Sequence, residues 1–371
     1  MKYYIIAGEA SGDLHGSNLI KELKKLDAAA DIRCWGGDLM QQAGGTLVKH
    51  YRELAFMGFV EVLMNIRTIF KNLRFCKEDI LQYQPDTLVL VDYPGFNLRI
   101  AEWAKQQGIK VIFYISPQVW AWKESRVKKM KQTIDKMIVI LPFEKHYFIE
   151  RWNWDVEYVG HPLVQVIEDY KSTVDSGLLT EKPIIALLPG SRKQEILKKL
   201  PIMLEVAPHF PGHQFIIAKA PSIEDEFYNE LIRSYPNVSW VSNRTYELLS
   251  QSTAALVTSG TATLETALFE VPEIVCYKGS NISYQIAKRV IKVKYISLVN
   301  LIMDKLVVKE LIQNDLTVNN LVHELKNLLE NPNRQKQLAA DYKQLKEVLS
   351  FNGNASENAA KIIYEMLKNK S

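Results

Sequence analysis

The chain begins with an apolar run, Tyr3-Tyr-Ile-Ile-Ala7, that breaks at once into Gly8-Glu-Ala-Ser-Gly-Asp-Leu-His-Gly16. A strand that ends in glycines and leads into helical sequence confines the chain to an α/β architecture. It also puts the chemistry of that loop at the carboxyl end of a strand. Gly8, Gly12 and Gly16 let the backbone turn tightly and approach a ligand, Ser11 or Asp13 can cap the following helix, and Glu9 and His15 can handle protons. The spacing matches neither a dinucleotide fingerprint nor a Walker loop. Alone, the segment would also suit an ordinary strand-to-helix turn.

The same pattern recurs along the chain. Apolar runs bounded by turn residues place strands at Tyr3–Ala7, Ile32–Trp35, Thr87–Val91, Lys110–Ile115 and Lys136–Ile140. After Tyr158-Val-Gly-His-Pro162 and a polar stretch the pattern restarts, with strands at Ile184–Leu188, Gln214–Ala218, Val238–Val241, Ala254–Val257 and Glu273–Tyr277. With 371 residues, 47% apolar and 24% charged, the chain exceeds what one core usually serves. The expectation is two doubly wound parallel-sheet domains facing a cleft. Their spans are a first domain over 1–165, a second over 166–345, and a C-terminal helix over 346–371. That last segment either packs back on the first domain or exchanges with a partner chain in a homodimer.

Chemistry should gather where strands end. After Ile184–Leu188 comes Pro189-Gly190-Ser191-Arg192-Lys193-Gln194-Glu195, in which Ser191 and Gln194 have capping-box spacing. A helix N-terminus offers free N–H groups to a diphosphate, and Arg192, disfavoured there by the helix dipole, is well chosen to pair with phosphate oxygens. After Ala254–Val257, the segment Thr258-Ser-Gly-Thr-Ala-Thr-Leu-Glu265 repeats the device through Gly260 and Thr261. It then supplies Glu265, whose carboxylate can accept both hydroxyls of a ribose. In the first half, Thr87–Val91 ends in Asp92-Tyr-Pro-Gly-Phe-Asn97, which makes Asp92 the first choice for a general base, with Glu9, Asp13 and His15 as rivals.

Next comes Tyr114-Ile-Ser-Pro-Gln-Val-Trp-Ala-Trp-Lys-Glu-Ser-Arg126. Trp120 and Trp122 beside Arg126 and the lysines up to Lys131 suit a substrate apolar at one end and phosphorylated at the other, although a solvated helix face would look the same. Nucleic acid is a poorer partner, because the stripe is short and the pI of about 8.6 lies below the basic range of such domains. Cys34, Cys76 and Cys276 form no ligand spacing, no Asp-x-Asp occurs, and no metal or cofactor is called for. No run is long enough to span a bilayer and no signal-peptide core is expected, which points to the cytoplasm. Within Phe56–Phe70 and the turns that follow, Phe59, Leu63, Ile66, Phe70 and Leu73 share a helical face flanked by Arg67, Lys71 and Arg74. That stripe suits either a buried helix or one lying on a lipid surface.

Seven segments, in order, resemble the lipid-A-disaccharide synthase family: Gly8-Glu-Ala-Ser-Gly-Asp13, Glu53-Leu-Ala-Phe-Met-Gly-Phe-Val-Glu-Val-Leu63, Ser116-Pro-Gln-Val-Trp-Ala-Trp122, Leu141-Pro-Phe-Glu144, Gly160-His-Pro162, Leu188-Pro-Gly-Ser-Arg192 and Ser259-Gly-Thr-Ala-Thr-Leu-Glu265. The resemblance implies an inverting, metal-independent glycosyltransferase of GT-B fold, peripherally associated with the inner membrane of a Gram-negative cell. Such enzymes join UDP-2,3-diacylglucosamine to 2,3-diacylglucosamine 1-phosphate, giving a β-1,6-linked disaccharide phosphate and UDP. It places the base on Asp92, the diphosphate arginine on Arg192, early-loop roles on Glu9, Ser11 and Asp13, and a nucleotide-side asparagine on Asn300. With the rest of the first loop and the Trp-rich segment, Gly12, His15, Asn97, Trp120, Trp122 and Arg126 become candidate substrate contacts. Asp92-Tyr-Pro-Gly-Phe-Asn97 and Leu298-Val-Asn300 depart from the family pattern at Gly95 and Val299. Other UDP-sugar enzymes on the same scaffold, such as an epimerase or the peptidoglycan glycosyltransferase, and a non-enzymatic lipid or nucleotide binder are the competing readings.

Overall fold

The computed structural model describes residues 1–54, 66–173, 180–280, 284, 293–350 and 353–368. The chain divides into two compact units, one formed by Met1–Pro162 with Leu349–Ser371 and the other by Leu163–Val348. Unit 1 contains strands β1 (Lys2–Ala7), β2 (Asp31–Gly36), β3 (Thr46–His50), β4 (Thr87–Val91), β5 (Lys110–Tyr114), β6 (Lys136–Val139) and β7 (Glu157–Tyr158). Unit 2 contains β8 (Ile184–Leu188), β9 (Gln214–Lys219), β10 (Val238–Ser242), β11 (Ser252–Thr258), β12 (Glu273–Tyr277) and β13 (Lys309–Ile312).

Both sheets are parallel and doubly wound. The first runs β3-β2-β1-β4-β5-β6-β7 and the second β10-β9-β8-β11-β12-β13. Their central strands are buried on both faces, so β1, β4 and β8 read as unbroken apolar runs rather than as alternations. In each sheet the winding reverses once, between β1 and β4 and between β8 and β11. Ligands of open parallel sheets bind outside the strand ends at such a reversal. The loops after β1, β4, β8 and β11 are the four that the sequence marks with glycines, hydroxyls and carboxylates.

The helix Ala355–Lys368 packs on the helix Ala10–Leu26 of unit 1, burying Ala359, Ala360 and Ile363. Lys110 Nζ donates to Met366 O at 2.8 Å and Asn358 Nδ2 to Val159 O at 3.2 Å, which fix this helix in place.

Candidate active site

At the reversal in unit 1, Asp92 and Tyr93 both take left-handed backbone conformations, with φ of 44° and 49°. Ile115, at the end of the neighbouring β5, has φ of 69°, a costly conformation for a β-branched residue. Strain of this kind persists only where surrounding contacts impose it. Asn97 does so by donating from Nδ2 to Ile6 O, Val91 O and Asp92 O, the last at 2.7 Å, while Asp92 N–H donates to Tyr114 O at 3.0 Å. The Tyr93 ring lies against Gly8, where a Cβ would stand 2.3 Å from it, so the close approach requires glycine there.

The turn presents the Asp92 carboxyl beside Glu9. Burial first, and the Glu9 charge second, push its pKa up to about 7. A third carboxyl, Glu144, is buried and accepts from Leu141 N at 3.0 Å and Trp120 Nε1 at 3.1 Å. Burial, with a smaller contribution from Asp92, pushes Glu144 up to about 8. Glu144 therefore ties the Trp-rich loop to the site. It stood inside a recognisable motif without a role, because its partner is a ring nitrogen 24 residues away.

Other residues of the first loop fall differently from expectation. The helix Ala10–Leu26 starts after Glu9 and carries no side-chain cap, so neither Ser11 nor Asp13 caps it; Ser11 and Gly12 lie in its first turn. Asp13 is buried and accepts from Gly37 N, Leu39 N and Met40 N at 2.7, 3.2 and 3.0 Å, capping the helix Asp38–Gln42 instead. Both Asp13 oxygens are engaged in this way. His15 is buried and burial pulls its pKa down to about 4, so it is neutral at pH 7 and is not a general acid there. Asn97 acts on the Asp92 turn. Trp122 is exposed, with Lys123 Nζ 4.0 Å from its ring centroid. Arg126 joins Arg99, Lys129, Leu98 and Met130 around a hollow of about 350 Å³.

In unit 2, Gly190 (φ +116°) and Gly260 (φ +132°) make the loops after β8 and β11. The helix Lys193–Leu204 has Arg192 as its N-cap residue and no side-chain cap, so the expected Ser191–Gln194 capping box is not formed and its first N–H groups are left for another acceptor. Arg192 Nη1 is 3.3 Å from Glu195 Oε1. Gly190, Ser191, Thr258, Ser259, Gly260 and Glu265 line a pocket of about 320 Å³, and Thr261 opens the helix Thr261–Leu268 at its edge. Tyr246 donates its hydroxyl to Glu265 Oε1 at 3.0 Å, and burial raises the Glu265 pKa. Asn300 lies outside this set. It is fully buried, donates to Val308 O and Glu310 Oε1 and accepts from Val307 N and Val308 N, so all four of its hydrogen bonds are spent within the protein. Among the described residues no group of His, Cys, Asp and Glu gathers for a metal.

The greasy helix divides. Phe59 and Leu63 lie outside the described residues, and Ile66 is placed only as the first residue of the helix Ile66–Tyr83. Within that helix Leu73, Cys76 and Ile80 enter the core, whereas Phe70 is 63% exposed and Phe75 43%. Arg67, Lys71 and Arg74 are exposed. Among the described residues no helix is long and apolar enough to cross a membrane.

The family model for lipid-A-disaccharide synthetase matches residues 3–363. A lipid-A-disaccharide synthase of Geobacter metallireducens is 38% identical, with 99% of this chain and 97% of the relative covered. One from Coxiella burnetii is 35% identical, with 98% of each covered. Among solved structures, a UDP-GlcNAc 2-epimerase from Neisseria meningitidis bound to UDP-GlcNAc superposes with a TM-score of 0.67 at 15% identity, covering 100% of both chains. The glycotransferase of kitacinnamycin does so with a TM-score of 0.65 at 13% identity, covering 99% of both. Those likenesses carry the fold, two doubly wound sheets of GT-B type. Identity over nearly the whole length carries the rest: the chain belongs to the lipid-A-disaccharide synthase family of glycosyltransferases.

Proposed function

We propose that unit 1 binds 2,3-diacylglucosamine 1-phosphate, that unit 2 binds the UDP of UDP-2,3-diacylglucosamine, and that Asp92 is the base. The observation that carries this reading is the strained Asp92-Tyr93 turn, which holds a carboxyl with a pKa of about 7 beside Glu9 at the reversal of the sheet. A base with a pKa near the working pH is half-ionised there and still accepts a proton readily. The Asp92 carboxylate takes the proton of the acceptor's 6-hydroxyl. That oxygen forms a bond to the anomeric carbon as the bond to UDP breaks on the opposite face, and configuration inverts. Arg192, the open N-terminus of Lys193–Leu204 and the Gly260 loop receive the charge that collects on UDP, and Glu265 takes the ribose hydroxyls. The family motifs and the open pocket around Gly190 and Gly260 support these assignments.

The hollow bounded by Arg99, Arg126 and Lys129 suits the acceptor's phosphate, with Leu98 and Met130 beside it for acyl carbons. The exposed Phe70 and Phe75, flanked by Arg67, Lys71 and Arg74, support peripheral contact with an anionic lipid surface. The purified protein, given both diacyl substrates in detergent without added metal, should release UDP and form a product of the summed sugar mass. Asp92→Asn should abolish turnover and leave UDP binding intact. Retained turnover with lost UDP affinity would remove Asp92 from this role, and turnover of UDP-N-acetylglucosamine alone would favour an epimerase-like activity.

A further inference from the structure

Beneath the nucleotide pocket lie a cation and a hydroxyl that the scheme above leaves unused. Lys199, in the helix Lys193–Leu204, is only 4% exposed. Its Nζ donates a hydrogen bond to Thr258 Oγ1 at the carboxyl end of β11. The ammonium therefore underlies both loops at once: it stands 3.5 Å from where a Cβ on Gly190 would lie, and Thr258 runs directly into Ser259 and Gly260. Among the described residues its one hydrogen-bond partner is Thr258. Burial holds its pKa below the ordinary lysine range, with Glu195 as the main opposing charge.

An ammonium has three hydrogens to give and nothing to accept with. The Thr258 oxygen must therefore be the acceptor in this pair, and its own hydrogen remains to be donated elsewhere. No acceptor for that hydrogen stands among the described residues, and Thr258 lines the pocket beside Gly190, Ser191, Ser259 and Gly260. A hydroxyl that accepts from a cation is polarised into a stronger donor, and the acceptors that reward such a donor most are anionic oxygens.

We infer that Thr258 donates its hydroxyl hydrogen to an oxygen of the bound nucleotide's diphosphate, and that Lys199 is the positioning residue that fixes and polarises that hydroxyl. The assignment rests on the nucleotide reading of unit 2. It makes the pocket selective for a phosphorylated nucleoside over the nucleoside itself, independently of Arg192.

The test is to titrate UDP, and separately uridine, into the full-length protein and its Thr258→Val, Thr258→Ser and Lys199→Met variants, with thermal unfolding as a check on folding. Thr258→Val and Lys199→Met should each lose about tenfold or more in UDP affinity, with uridine affinity unchanged and Thr258→Ser close to the parent. The Thr258→Val, Lys199→Met double variant should be no weaker than the weaker single, because one residue acts through the other. Equal losses of UDP and uridine affinity in folded variants would reduce the pair to a structural contact and overturn the inference. Unchanged UDP affinity in Thr258→Val would do the same, while leaving the nucleotide reading standing. A parent protein that binds no UDP would overturn both. Should Lys199→Met fail to fold, the Val against Ser comparison at position 258 still decides.

Discussion

The Asp92 carboxyl owes its elevated pKa to burial and then to Glu9, so the pH dependence of the reaction should report on both. The base proposed here would work ionised, so kcat/KM should rise through about pH 7 and level off above it. In Glu9→Gln the neighbouring negative charge is gone, the Asp92 pKa falls, and the midpoint of that rise should move to lower pH; an unmoved midpoint in a pH–rate profile would separate the two residues. Glu273 offers a second residue-scale prediction. It is fully buried in β12, neither carboxyl oxygen has a hydrogen-bond partner among the described residues, and burial lifts its pKa well above the carboxylate range. The folded state holds that proton at pH values where the unfolded state has lost it, so stability falls as pH rises from about 4.3, the ordinary glutamate value, toward the folded pKa. Glu273→Gln should remove that slope and raise Tm relative to the parent at pH 8, with little difference at pH 4.

The elements most readily legible in the sequence were those in the middle of the sheets. Every strand expected from an apolar run is present: the inner strands, covered on both faces, have no choice but to be apolar, and the partly exposed edge strand Val238–Ser242 still carries Val238, Trp240 and Val241. β3, β7 and β13 were missed for the opposite reason: Thr46–His50 and Lys309–Ile312 are partly exposed edge strands carrying lysines, and Glu157–Tyr158 is two residues long. The candidate site was legible to the extent that the residues proposed for it sit at strand ends on glycine loops, as Asp92, Gly190 and Gly260 do. The partners of Asp13 and Asn300 were not legible, because they include backbone groups elsewhere, Gly37 N at a separation of 24 residues and Val308 N at 8, and no local pattern announces a buried cap. At this scale the helix Ile66–Tyr83 is the element to test. Replacing Phe70 by Ser should change stability by no more than about 1 kcal/mol, since that side chain is mostly exposed, and should weaken binding to anionic vesicles in a sedimentation assay. Undiminished vesicle binding would move the lipid contact elsewhere.

For the whole molecule, two units imply two unfolding transitions unless they are coupled. UDP should raise only the transition belonging to Leu163–Val348. Ile363→Ala, which hollows the contact between Ala355–Lys368 and Ala10–Leu26, should lower the other by about 2–4 kcal/mol. Calorimetry with and without UDP on parent and variant would check both assignments, and a single transition moved by either change would show the units to be one cooperative body.

The return of the last helix to unit 1 also fixes an order of events. His161 N–H donates to Leu349 O at 2.9 Å, so the chain leaves unit 1 and re-enters it at one spot, and all of unit 2 is topologically a long loop inserted there. As the chain emerges from a ribosome, unit 2 is complete once Val348 is free, whereas unit 1 waits for Ala355–Lys368 to cover the apolar side of Ala10–Leu26. The half assigned to the nucleotide should therefore mature before the half assigned to the base, and a chain ending at Val348 and tethered to the ribosome by an appended linker should already retain UDP without transferring sugar from the diacyl UDP donor.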